Sequence, residues 1–158
     1  MFRLPRMVLP LTLVSSLLLS LAIAGSVLAG GKPLVATLLP GNETGIGGDT
    51  NPAARGSFSM TVNYGHQTVC YWLSWENLTE PATAAHVHVG AVGVPGGVVI
   101  PLSVVNATSG STSACIENVN AGLLKAIIQN PSGYYVNVHN ALRPAGAIRG
   151  QLTEPEDD

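Results

Sequence analysis

Two histidines one residue apart, His86 and His88, are the side chains of this sequence whose type and spacing most directly allow chemistry. In a β-strand successive side chains point to opposite faces, so both imidazoles share one face while Val87 and Val89 share the other. A second alternating stretch, Tyr135-Val-Asn-Val-His139, puts Tyr135, Asn137 and His139 on one face of its own strand. If these polar faces meet in a common interior, His86, His88 and His139 form an all-imidazole set suited to copper or zinc, with Tyr135 or Asn137 behind it to orient the ligands. The same residues also permit a purely structural arrangement. In it the histidines hydrogen-bond to one another, to Asn137 and to backbone carbonyls, and so fasten two hairpins together.

Other chemistries have less to build on. No Gly-x-Ser-x-Gly elbow is present, no carboxylate stands in a motif beside the histidines, and the Gly-rich segments join strand to strand rather than strand to helix. The expectation is therefore a chain that is not an enzyme; a metal-dependent small-molecule enzyme is the remotest alternative. Arg149 lies among small residues in a strand, where a buried guanidinium would need a carboxylate. Glu43 and Glu117 are the candidates, and an Arg on a wet face is the other reading. Asn42, Glu43 and Asp49 lack the ordered spacing of a calcium loop and read as plain loop. His66, in Gly65-His-Gln67, reads as an exposed turn residue.

The elements that must position these groups are short and mostly extended. Pro33 to Leu39 is a first apolar strand. Phe58, Met60, Val62 and Tyr64 alternate with polar residues across 57–64, and Val69, Tyr71, Leu73 and Trp75 do so across 68–75, with a hairpin tip between the two runs. Strands follow over 84–90, 98–102, 114–119, 134–139 and 147–152, while 106–113 (NATSGSTS) reads as a polar loop. One helix interrupts the pattern: Asn120 is its cap, Leu123, Leu124, Ile127 and Ile128 recur at helical spacing, and Asn130-Pro131 ends it. An internal echo links the histidine strands. Val87-His88 leads to Pro95-Gly-Gly97 and a strand, and Val138-His139 leads to Pro144-Ala-Gly146 and a strand; duplication and shared turn chemistry both account for it.

The chain has 158 residues. Its first 29 combine Arg3 and Arg6 with an apolar run and Val27-Leu-Ala29, the pattern of a secretory signal peptide cut after Ala29, with an uncleaved anchor as the competing reading. Residues 30–153 have the length of one domain with a single core. Of the nine acidic residues, Glu154, Glu156, Asp157 and Asp158 fall in 154–158, an acidic, disordered tail. No basic stripe offers nucleic acid a surface, and no other segment is apolar enough to span a membrane. Cys70 and Cys115 are the only cysteines, and in an exported chain an even count favours a disulfide between them. Secretion or a periplasmic location follows, with an unnamed protein or cell-envelope partner.

With Ala85-His-Val-His-Val-Gly90, Asn137-Val-His139, Arg149-Gly-Gln-Leu152, Leu39-Pro-Gly-Asn-Glu43 and Gly122-Leu-Leu-Lys-Ala-Ile127 in view, the chain resembles the CHRD family over roughly 34–152, and especially its single-domain exported bacterial type. That resemblance implies an extracellular β-sandwich-like domain and no agreed activity. The His-Val-His motif is also similar to the copper strand of copper/zinc superoxide dismutases, but that family's zinc loop and further histidines are absent. The expected architecture is an antiparallel, Greek-key-like β-sandwich or partly open barrel with one short α-helix, and the expected role is that of an extracytoplasmic binding or structural module.

Overall fold

The computed structural model describes residues 30–45 and 47–156. The leader over 1–29 and the last two residues of the acidic tail lie outside the described residues. Among the described residues, eight strands and one α-helix follow in order: β1 (Lys32–Leu38), β2 (Arg55–Asn63), β3 (Thr68–Glu76), β4 (Ala82–Val89), β5 (Val98–Leu102), β6 (Gly110–Ile116), α1 (Ala121–Gln129), β7 (Tyr134–Asn140) and β8 (Ile148–Gln151).

Period-2 patterning builds the first sheet. Leu34 and Leu38 of β1, Phe58, Met60 and Val62 of β2, and Val69, Tyr71, Leu73 and Trp75 of β3 all turn inward, and Ser57, Ser59 and Thr61 turn to solvent or its edge. Sheet order is β1-β2-β3-β6, every pair antiparallel. The strand β6 begins four residues earlier than the polar composition of 106–113 suggests. Its Ser and Thr side chains gain little from burial, but its backbone closes the ladder against Trp72 to Trp75. Gly110 lets that strand start against the Trp75 ring, which an added Cβ would meet at 2.9 Å. Tertiary pairing here overrides a weak local signal.

The second sheet has the order β5-β4-β7-β8, again antiparallel. Its inward residues, among them Ala85, Val87, Ile100, Val136, Val138 and Ile148, meet those of the first sheet in one continuous core. Each such Leu, Ile or Val contributes roughly 1.5–3 kcal/mol by leaving water. The helix adds Leu124 and Ile127 to that core, and its N-terminus is capped by Asn120, whose Oδ1 accepts from Leu123 N at 3.0 Å. The two sheets form a sandwich and do not close into a barrel. Isolated bridges, Val35 to Thr153 and Leu39 to Arg149, stitch β1 to the chain around β8. Glu154 of the tail pairs with Lys32. Cys70 and Cys115 face each other across β3 and β6 and form a disulfide on the solvent side of the first sheet.

Candidate metal centre

The strands β4 and β7 are the two central strands of the second sheet, and their register sets His86 opposite Asn137, His88 opposite Tyr135 and Ala84 opposite His139. Because Val87, Val136 and Val138 occupy the core face, the imidazoles, Tyr135 and Asn137 occupy the other face. The expectation of a common interior between the sheets is corrected accordingly: the histidines converge on the outer face of one sheet. They are covered there by loops rather than by the opposing sheet. All seven residues of β7 are buried, His88 and His139 are buried, and His86 is half-buried.

Two bulges frame the group. The ladder between β4 and β5 skips Val99 beside His88, and the ladder between β4 and β7 skips Thr83 beside His139. Such one-residue insertions re-aim neighbouring side chains and are frequent next to functional sites.

Each of the two buried histidines is anchored by its own hairpin loop. His88 Nδ1 lies 2.9 Å from the carbonyl oxygen of Gly96, and His139 Nδ1 lies 3.0 Å from that of Pro144. A carbonyl oxygen can only accept, so both Nδ1 atoms carry the proton and donate, and both Nε2 atoms are left with lone pairs. The loops need glycine to come this close. A Cβ at Gly96 would meet the Val89 carbonyl oxygen at 1.6 Å, and Gly146, at φ +146, passes beside the Glu43 carboxyl, whose Oε1 an added Cβ would meet at 2.1 Å. His86 Nδ1 is 3.1 Å from His139 Nε2. His88 Nε2 is buried with no hydrogen-bond partner. One ligating atom from each of the three residues can be chosen so that all lie within 4.8 Å of one another.

The electrostatics favour the neutral form of His86 and His139. Burial, together with the neighbouring imidazoles, pushes His139 down to about 4 despite its bond to Pro144, and burial and then the charge of His88 lower His86. Neutral imidazole is the form that binds metal.

Beside the imidazoles lies a stack. The His88 ring lies parallel to that of Tyr135 at a centroid distance of 4.8 Å, and the Arg149 guanidinium carbon sits 3.3 Å from the Tyr135 ring centre. Tyr135 also accepts a hydrogen bond from Gly96 N through its hydroxyl. Arg149 is 2 % exposed, so the wet-face reading does not hold. Its Nη2 donates to the carbonyls of Ala91 and Val94, at 2.9 and 3.0 Å. Of the two carboxylates proposed for it, Glu117 is exposed beyond β6, whereas Glu43 is close enough for its charge to be felt, though not in ion-pair contact. Burial raises the Glu43 carboxyl to about 7, a rise that Arg149 and the Asn137 amide only partly offset. Glu43 Oε1 and Asn137 Oδ1 are, with His88 Nε2, the buried acceptors without a hydrogen bond among the described residues.

The Asp49 carboxylate is engaged by the protein itself. It accepts from Asn51 N, from Thr79 through both N–H and hydroxyl, and from Asn140 Nδ2, and these bonds hold it low although burial alone would raise it. It clamps the β1–β2 loop to the second sheet. His66 is exposed in its turn, away from the cluster. The parts that sequence reasoning missed are the two carbonyl anchors, Gly96 and Pro144. Their signal was the Pro-Gly-Gly and Pro-Ala-Gly turns that follow each histidine strand.

Among the described residues no helix is long and apolar enough to cross a membrane. No curated protein and no solved structure matches the chain. The family model for the CHRD domain does match, over residues 34–152. That span takes in both histidine hairpins and every strand from Leu34 onward, and the chain belongs to the CHRD domain family.

Proposed function

We propose that this chain is an extracytoplasmic, non-enzymatic binding module whose ligand is a transition-metal ion, copper or zinc, held by His86, His88 and His139. One observation carries the reading: His88 Nε2 is a buried lone pair with nothing to accept from, in a ring whose tautomer is set by the Gly96 carbonyl. The structural alternative accounts for His139, whose Nε2 meets His86, but it leaves His88 Nε2 without a donor, a cost of about 1–3 kcal/mol. A metal ion would satisfy it. The carbonyl-anchored imidazoles match the arrangement in which a ligating histidine donates its other ring N–H to a fixed acceptor. For bonds of ~2.0 Å at a tetrahedral centre the ligand nitrogens stand ~3.3 Å apart, close to the 3.1 Å between His86 and His139. The half-buried His86 leaves the side toward solvent for entry. The disulfide, the apolar leader and the usual extracellular setting of CHRD domains support the compartment.

Titration calorimetry of the metal-free protein with Cu²⁺ and Zn²⁺ tests this. Binding tighter than about micromolar is expected, with a loss of at least ~100-fold in His88→Ala and in His139→Ala. Absence of such binding, or an unchanged affinity in His88→Ala, removes the metal reading and leaves the histidines as fasteners of two hairpins.

A further inference from the structure

On the same face of the second sheet, beyond Tyr135 as seen from the imidazoles, lies a cavity of about 260 Å³. Three separate parts of the chain wall it: Asn42 and Glu43 from the β1–β2 loop, Val92 from the β4–β5 loop, and Arg149 and Gln151 from β8. We infer that this cavity is a binding site for a small carboxylate anion, with Arg149 as its cation and Glu43 as a hydrogen-bond donor to it.

Arg149 is the first ground. It is a buried cation, and the ion pairs of the described residues are Lys32 with Glu154 and Arg55 with Glu76, neither of which involves it. Two carbonyls and the face of Tyr135 solvate the guanidinium without cancelling its charge. A buried charge beside an open volume, with no counter-ion in contact, favours an anion there. One positive charge matches a monoanion, and the planar guanidinium matches the fork of a carboxylate better than a compact ion.

Glu43 is the second ground. The Asn137 amide and the Thr44 backbone reach its carboxyl, but its Oε1 is buried with no hydrogen-bond partner, so a protonated Glu43 would have an O–H still to place. With its pKa raised to about 7, Glu43 is protonated on the acid side of neutrality and can bridge to the anion. Once ionised it is itself the counter-charge of Arg149 and competes with the ligand. The other charged groups on the segments around it are already engaged: Arg143 Nε at the Gly48 carbonyl, Asp49 with Thr79 and Asn140, and His139 neutral at pH 7. Asn42 and Gln151 have their amide nitrogens tied to the carbonyls of Arg149 and of Gly90, Ser132 and Tyr134. Each therefore offers the cavity an oxygen acceptor, which suits a hydroxyl on the ligand.

The experiment is an NMR titration of the metal-free protein with lactate, and in parallel with acetate and inorganic phosphate at matched ionic strength. It follows Arg149 Nε–H and the side-chain amides of Asn42 and Gln151 at about pH 6 and about pH 8, on either side of the Glu43 transition. Saturable shifts are expected with lactate, weaker with acetate and absent with phosphate, with affinity falling by up to ~10-fold between the two pH values, the full change in the protonated fraction of a group at about 7. Glu43→Gln, which keeps an N–H donor at every pH, is expected to bind equally at both. Gly41→Phe is expected to fill the cavity and abolish the shifts, because a Cβ at Gly41 meets nothing within 4 Å. No saturation by about 50 mM lactate, retained shifts in Gly41→Phe, or phosphate binding as tightly as lactate would each overturn the assignment. The readout needs no metal, so its outcome is independent of the fate of the imidazole site.

Discussion

The two sheets share their core, yet their outer faces differ. The outer face of the first sheet is ordinary: Ser57, Ser59 and Thr61 alternate with buried partners, Trp72 stands 45 % exposed, and the disulfide lies against solvent. The outer face of the second sheet is roofed by loops and carries His88, His139, Asn137 and Arg149, all buried, together with Tyr135. Where one face of a strand is wet, polar residues on it cost nothing and signal nothing. Where both faces are buried and one is still polar, each polar atom must find a partner, and the few that do not, at His88, Asn137 and Glu43, are the atoms on which the two proposed sites rest. The proposals for the second sheet rest on that asymmetry.

Perturbations of the two faces should therefore differ in kind. The largest effect belongs to the structural face. Replacing both cysteines by Ser opens a link between residues 45 apart and should cost about 4 kcal/mol in the chain-entropy view, with the metal affinity measured by calorimetry unchanged. A coupled loss of metal binding would show that the sheets are not functionally separate.

Next in size is Gly146→Ala. Its Cβ displaces the Glu43 carboxyl and should cost about 1–3 kcal/mol in denaturant unfolding. Part of that cost is the strain of an L residue at φ +146, which Glu43→Ala cannot relieve, so adding Glu43→Ala should recover only the part due to the contact, and full additivity of the two changes would deny the contact.

The pH dependence of thermal unfolding, measured without metal, comes third, and its two terms have opposite signs. His139 falls from 6.5 to about 4, so the unfolded chain takes up that proton first and stability drops as pH goes from about 6.5 to 4. Glu43 rises from 4.5 to about 7, so the folded chain takes up that proton first and stability grows as pH goes from about 7 to 4.5. The wild type should accordingly show a shallow profile between the two. Glu43→Gln should be the more stable of the pair at pH 8 and fall more steeply with acid, and identical profiles would place Glu43 in solvent. Smallest of all is Trp72→Thr on the wet face of the first sheet, expected to change stability by no more than about 0.5 kcal/mol.

Much of this was legible in advance where a local rule and the fold agree. Alternation located β2, β3, β4 and β7, the Asn120 cap located α1, and His-x-His placed two imidazoles on one face whatever the rest of the chain did. What was not legible had no local signature. The Ser/Thr-rich start of β6 becomes a strand only because β3 needs a partner. Arg149 was weighed between a carboxylate and solvent, and it took two loop carbonyls and an aromatic face that are distant in sequence. The outer position of the histidines was equally hidden, because alternation tells which residues share a face but not which of the two faces meets the other sheet.

The order of residues alone thus determined the alternating strands β2, β3, β4 and β7, the capped helix, the pairing of the two cysteines and the company of His86 with His88, since each follows from neighbours within a few positions or from a count of two. Only the tertiary structure decided that His139 joins them diagonally across β4 and β7, that Gly96 and Pro144 set the tautomers, and that Glu43 is brought beneath Gly146 beside Arg149. Those outcomes depend on register and on loops folding back over a sheet. Such long-range closures are selected by the whole core, and no single segment specifies them.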